Sequence, residues 1–309
     1  MLPQAKAPHR DAQPSGGSEY NISGSAGQLP VSCDCVEAQV TDECFGGLEP
    51  QRGYLEVGST HLAYLRYGLR GKPAILLHGI TSSARSWWRV APQLAAQGYQ
   101  VYSFDLPGHG ESDLAGTHMI DAIAGLLAQA ARTLIDEPPL IVGHSWGGAT
   151  ALALALQLPP ARLALVDPLL ALAPATHASR LDYFLNGVGQ PRELTTPRLR
   201  AENPDWLDCD VFWKAEALEQ CREAAVRGLF YASGEWDFTP RFASIDAPVL
   251  LLLADPANTI VSPAQLALVQ SGLRHSASAC VTIAGTTHNV FRGSGHEPCM
   301  RELLLWLQP

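Results

Sequence analysis

The chain has 309 residues, 47% of them hydrophobic and 17% charged, enough apolar material to pack a core against the entropy of folding, which excludes wholesale disorder. That length fits a single α/β body with an insertion better than two large catalytic domains. With 21 Lys and Arg against 30 Asp and Glu the net charge is −9, so nucleic acid and anionic membrane surfaces are poor partners.

Met1 to Arg10 lacks the apolar run of a signal peptide, and no later stretch is continuous enough to span a bilayer. The expectation is a soluble, cytoplasmic protein. Residues Leu2 to Gln28 are rich in Pro, Gly, Ser, Ala and Gln, and 1–48 read as a disordered tail ahead of a folded domain over 49–309. Of seven cysteines, Cys33, Cys35 and Cys44 cluster in that tail, while Cys209, Cys221, Cys280 and Cys299 are scattered. The cluster lacks the paired spacing of zinc ligands and has no histidine between its members, so it is read as coincidence and no metal is expected.

From Gly53 the pattern turns strand-like. Tyr54 to Val57, Gly58 and Ser59, then His61 to Tyr67 predict a β-hairpin. The apolar run Ala74 to Leu77, a helix through Trp87 to Ala96 and a strand Gln100 to Phe104 make one βαβ crossover. The cycle repeats with a helix over Ile120 to Leu134, a strand Leu140 to Val142, a helix Trp146 to Leu158 and a strand Leu163 to Val166. Short, wholly apolar strands alternating with helices predict a mostly parallel sheet covered on both faces. From about 168 to 246 no comparable strand occurs, and this stretch is read as a helical cap insertion. Val249 to Leu253, a helix after Ser262 and Pro263, Cys280 to Ile283 and a closing helix Glu297 to Leu307 complete the chain.

Between the Leu140 strand and the Trp146 helix lies Gly143, His144, Ser145, Trp146, Gly147, Gly148. A serine hydroxyl is a weak nucleophile. It gains access on a tight strand-to-helix turn where glycines let backbones approach, and the following helix aims its first amides at a developing oxyanion. In that setting Ser145 is a candidate nucleophile and the Trp146 amide an oxyanion donor. The competing reading of the same residues is a glycine-rich loop with a capping serine.

The region from Gly53 onward resembles the α/β-hydrolase superfamily. The resemblance is carried by His78 and Gly79 after an early strand, by DLPGHGES over Asp105 to Ser112, and by the GHSWGG turn. It implies an α/β-hydrolase fold, the Ile80 amide as second oxyanion donor, and scaffold roles for His78, His109 and His144. It also implies a base on the loop after the last strand, which His288 satisfies within Ile283 to Asn289, whereas His296 and His275 are misplaced.

The acid is harder to place. In the loop after Leu253, counting puts Ala257 or Asn258 at the habitual position, and neither carries charge. Asp255, just upstream, is the preferred candidate, with a turn aspartate before Pro256 as its structural alternative. Asp167, ending the strand after the nucleophile helix, is the rival.

A serine at the turn points to acyl chemistry with no cofactor. Trp206, Phe212, Trp213, Tyr231 and Trp236 in the insertion, with Trp87 and Trp88 below it, suggest a small to medium apolar ester or lactone as substrate. A non-hydrolytic ligand receptor on the same fold, an acyltransferase or perhydrolase, and a C–C bond hydrolase remain alternatives. The oligomeric state is not legible.

Overall fold

The computed structural model describes residues 44, 47–172 and 177–308. Its sheet has eight strands in the order β1-β2-β4-β3-β5-β6-β9-β10. β1 (Gln51–Val57) and β2 (Thr60–Tyr67) form the expected hairpin, turned by Gly58 at φ 62°. β2 runs antiparallel to β4 (Tyr99–Phe104), which pairs parallel with β3 (Lys72–Leu77). From there β5 (Leu140–His144), β6 (Arg162–Val166), β9 (Val249–Leu253) and β10 (Ala279–Thr282) continue in parallel. All five residues of β5 and of β9 are buried, the pattern of strands covered on both faces.

The helices follow from their apolar spacing. α2 (Ile120–Leu134) buries Ile120, Ile123, Ala124, Leu127, Ala128 and Ala131 on one stripe. α3 (Trp146–Gln157) is buried from Trp146 to Ala155, and its run of Gly and Ala lets it lie close against the sheet. α1 (Val90–Ala96) and α9 (His296–Leu307) supply Val90, Ala91, Leu94, Cys299, Met300 and Leu303 to the core that covers the other face.

Between β6 and β9 the chain forms a two-stranded ribbon of β7 (Ala171–Leu172) and β8 (Trp236–Asp237). Among the described residues four helices lie between these strands: α4 (His177–Leu185), α5 (Arg192–Glu202), α6 (Asp208–Gln220) and α7 (Glu223–Tyr231). The ribbon brings the two ends of this segment together. α8 (Pro263–Gly272) starts at Ser262, whose hydroxyl accepts from the Gln265 amide at 3.2 Å while the Gln265 side chain accepts from the Ser262 amide at 2.9 Å, a reciprocal cap.

Cys33 and Cys35 lie outside the described residues. Cys44, assigned to the tail on sequence, is instead disulfide-bonded to Cys209 on α6, 165 residues away. Trp88, Phe212 and Trp213 pack around the bond, and the Trp213 indole donates to the Cys44 carbonyl at 2.8 Å. No local spacing announces a pair so distant. A bond of this kind persists in oxidising surroundings and is usually reduced in a cytosol, which weighs against the cytoplasmic expectation. Among the described residues no helix is long and apolar enough to cross a membrane.

Chain-entropy arithmetic for a loop of this length gives a ceiling of about 5 kcal/mol on the stabilisation from the cross-link. The Cys44→Ser, Cys209→Ser double variant should therefore unfold at lower urea concentration than the parent under non-reducing conditions, and equal midpoints would show that the bond contributes nothing.

Candidate active site

Ser145 occupies the turn between β5 and α3 with φ 54° and ψ −122°, a region that costs a non-glycine residue about 1 to 3 kcal/mol. The surroundings over-determine it. The Ser145 amide donates to the Val166 carbonyl at 3.1 Å, and its own carbonyl accepts from the amides of Gly148, Ala149 and Leu169 at 2.9, 3.2 and 2.9 Å. The flanking glycines are required by contact. A Cβ on Gly143 would lie 2.3 Å from the Gly147 carbonyl oxygen, and one on Gly147 would lie 2.3 Å from the carbonyl oxygens of Leu77 and His78.

Ile80 sits in a turn closed by the Ser82 amide donating to the Gly79 carbonyl at 3.2 Å, with Thr81 at φ 54°. Trp146 is the first residue of α3, a position whose amide has no acceptor within its own helix. Gly79 is closely packed here, since a Cβ on it would come 3.2 Å from that of Ser145.

His288 donates from Nδ1 to Asp167 Oδ2 at 2.6 Å. Asp167 is fully buried and stands just beyond β6, its amide donating to the Leu252 carbonyl at 2.7 Å. Its carboxylate also accepts from the amides of Ala254 and Ile260 at 3.3 and 3.2 Å and from the Thr259 hydroxyl. The loop after β9, searched for an acid on sequence, thus supplies donors to an acid carried by the neighbouring strand.

Asp255, the preferred acid on sequence, does not meet His288. Its Oδ1 accepts from the Ala257 amide at 3.0 Å and its Oδ2 from the Gly285 amide at 2.9 Å. These two donors hold its carboxyl below the ordinary carboxylate range. It makes the local turn weighed as its alternative and also latches the loop leading to His288. Asn258 donates to the Thr286 carbonyl at 2.9 Å and steadies the same loop.

Two buried histidines hold neighbouring backbone. His78 donates from Nδ1 to the Gly79 carbonyl at 2.7 Å and accepts at Nε2 from the Leu106 amide at 2.9 Å. His144 donates from Nε2 to the His288 carbonyl at 3.0 Å, with the two rings 4.7 Å apart. Burial drives both imidazoles well below their ordinary value, and it lowers His109 to about 4.

Ser145, His288 and Ile80 line one cavity of about 150 Å³, a size that admits a small molecule. A hollow of about 220 Å³ at Lys72, Tyr99, Leu140 and Arg162 opens at the other end of the strands and is lined by no Ser, Thr, Cys or His. Of the insertion aromatics singled out on sequence, Trp206 reaches the cavity that Ser145 lines. Phe212 and Trp213 pack around the disulfide, and Tyr231 is exposed. Tyr183 and Phe184 line the cavity instead, together with Arg198, Lys214 and Arg292. The wall therefore sets cationic side chains among the apolar ones expected. Lys214 was legible in principle, because it lies three residues after Val211 and four before Leu218, both buried on α6. Among the described residues no group of three His, Cys, Asp or Glu is placed to hold a metal ion.

A profile of the alpha/beta hydrolase family matches residues 74–301, and the chain belongs to that family of enzymes. It is 32% identical over 205 residues to N-formylmaleamate deformylase of Pseudomonas putida, covering 64% of this chain and 75% of the relative. Lipase LipV of Mycobacterium tuberculosis is 37% identical over 150 residues, covering 47% of this chain and 56% of the lipase. Among solved structures, the N-formylmaleamic acid deformylase of Pseudomonas putida S16 superposes with a TM-score of 0.68 at 22% identity, covering 82% of this chain and all of that one.

The buried histidines set an acid limit on the fold. Between about pH 6.5 and 4 the unfolded chain takes up protons on His78, His109 and His144 that the folded chain refuses. Asp105, raised by burial to about 6, binds its proton earlier when folded and offsets one of the three. For these four groups the net uptake on unfolding is about two protons, so they should lower stability by about 3 kcal/mol per unit as pH drops through 5. Urea titrations across this range check it, and a flat or rising stability would contradict the protonation states given.

Proposed function

We propose that this chain is a serine hydrolase that cleaves a carboxylic acyl bond through an acyl-enzyme. The reading rests on one observation above all, the buried Asp167 holding His288 through Nδ1 beside the strained Ser145 turn. With Nδ1 engaged, Nε2 is the ring nitrogen that takes the Ser145 proton as Oγ attacks the substrate carbonyl. The Asp167 carboxylate stabilises the imidazolium that results. The amides of Ile80 and Trp146 receive the negative charge on the carbonyl oxygen, each contributing about 3 to 4 kcal/mol to lowering the barrier. His288 then protonates the leaving group, and a water activated by the same imidazole releases the acid.

Esters and lactones are the first substrate class. A C–N acyl bond stands beside them, because the Pseudomonas putida relative is named a deformylase. The segment from α4 to α7 acts as a cap that supplies Trp206 and Lys214 to the cavity wall.

A fluorophosphonate should label the protein, and Ser145→Ala should abolish labelling; an unlabelled parent would favour a ligand receptor on the same fold. Asp167→Asn should lower kcat for a p-nitrophenyl ester by about four powers of ten, while Asp255→Asn should stay within a few-fold of the parent. A reversal of these two effects would return the acid role to Asp255.

A further inference from the structure

Three cationic side chains line the catalytic cavity, and their charges are not equally compensated. Arg198 on α5 is paired with Glu202 one helical turn away at 3.1 Å, and Glu202 lies on the same wall. Arg292, four residues after His288, is only 4% exposed. Its Nη2 donates to the Ser82 hydroxyl at 3.2 Å, while Nε and Nη1 have no hydrogen-bond partner. Asp210, whose charge acts on it, is spent elsewhere. Oδ1 of Asp210 accepts from the Trp88 indole at 2.9 Å, and Oδ2 from the amides of Gly293 and Leu207 at 3.1 and 3.3 Å.

Lys214 is also without a carboxylate partner among the described residues. Its ammonium donates to the carbonyl oxygen of Thr81 at 2.5 Å and to the Thr81 hydroxyl at 2.8 Å, which leaves its third N–H for another acceptor. Burial, reinforced by Arg292, lowers Lys214 to about 7, and burial lowers Arg292 to about 10. Such cations are expensive without a counter-charge, and an anion would relieve both at once. The Arg292 guanidinium lines the cavity and makes no hydrogen bond to a carboxylate among the described residues, so its charge suits an anionic oxygen there. Trp206 lines the same cavity, its ring stacked 4.5 Å from the Arg292 guanidinium carbon, and fixes that cation in place.

The position relative to the reacting centre narrows the ligand. Lys214 grips Thr81 and Arg292 grips Ser82, the two residues that follow the oxyanion donor Ile80. We propose that Lys214 and Arg292 form a carboxylate-binding subsite, so that the substrate is a short acyl compound with a free carboxylate a few bonds from its scissile carbonyl. A half-ester or half-amide of a small dicarboxylic acid meets this description. The inference rests on the hydrolytic reading of Ser145 and His288 for its account of turnover, but not for its account of binding.

The test uses monoethyl succinate and its neutral isostere, ethyl succinamate, with turnover followed by pH-stat. In parallel, succinate and succinamide are titrated calorimetrically into Ser145→Ala protein. The parent should favour monoethyl succinate in kcat/KM. Arg292→Met and, from a different element, Lys214→Met should each reduce that preference at least tenfold, mainly through KM, with Arg292→Lys recovering part of it. Succinate should bind the Ser145→Ala protein more tightly than succinamide and lose at least tenfold in affinity when Arg292→Met is added. A purely structural role would slow both esters in the same proportion and leave succinate no better bound than succinamide, which overturns the subsite. Selective succinate binding without turnover of either ester would uphold the subsite and overturn the hydrolytic reading.

Discussion

The buried carboxylate of Asp167 is the constraint around which this site is organised. A charge removed from water costs several kcal/mol unless its oxygens are satisfied, and this one is satisfied by donors that lie far apart in sequence. Ala254, Thr259 and Ile260 come from the loop after β9, and His288 from the loop after β10. Meeting that requirement draws both loops over the C-terminal edge of the sheet, next to the turn that presents Ser145. Asp255 and Asn258 steady the same arrangement from outside, through the Gly285 amide and the Thr286 carbonyl.

The backbone geometry at Ser145 is affordable only in this setting. A single residue in a disfavoured conformation persists when its neighbours leave no alternative. Here Val166 fixes its amide, and three amides converge on its carbonyl. The glycines on either side contribute by lacking side chains, because β5, α3 and the backbone of Leu77 and His78 at the end of β3 meet too closely for a Cβ.

Much of this architecture was legible in the amino-acid order, because its signals are local. The strands from Ala74 to Val166 are short apolar runs, the Ser145 turn is a compact motif, and His288 follows the last strand as the resemblance implied. What escaped depends on distance. An acid was sought in the loop that usually carries it, yet Asp167 and Asp255 both lie just past a strand and precede a proline, so only their contacts separate them. Cys44 and Cys209 are joined across 165 residues, a pairing that neither position announces. The aromatic content of the insertion suggested an apolar cavity, but composition does not say which way a ring faces. Phe212 and Trp213 turned to the disulfide, and Lys214 from the same helix turned to Thr81.

The covalent link between residue 44 and α6 has a topological meaning as well. It encloses β1 through β7 in one closed loop that includes Ser145 and Asp167, while His288 lies on the open remainder of the chain. A protease that cuts once between 45 and 208 would leave the fragments bound to each other until a thiol is added. A cut between 209 and 288 would release the piece bearing the imidazole as soon as the fold opened, so the two halves of the site differ in their tolerance of nicking.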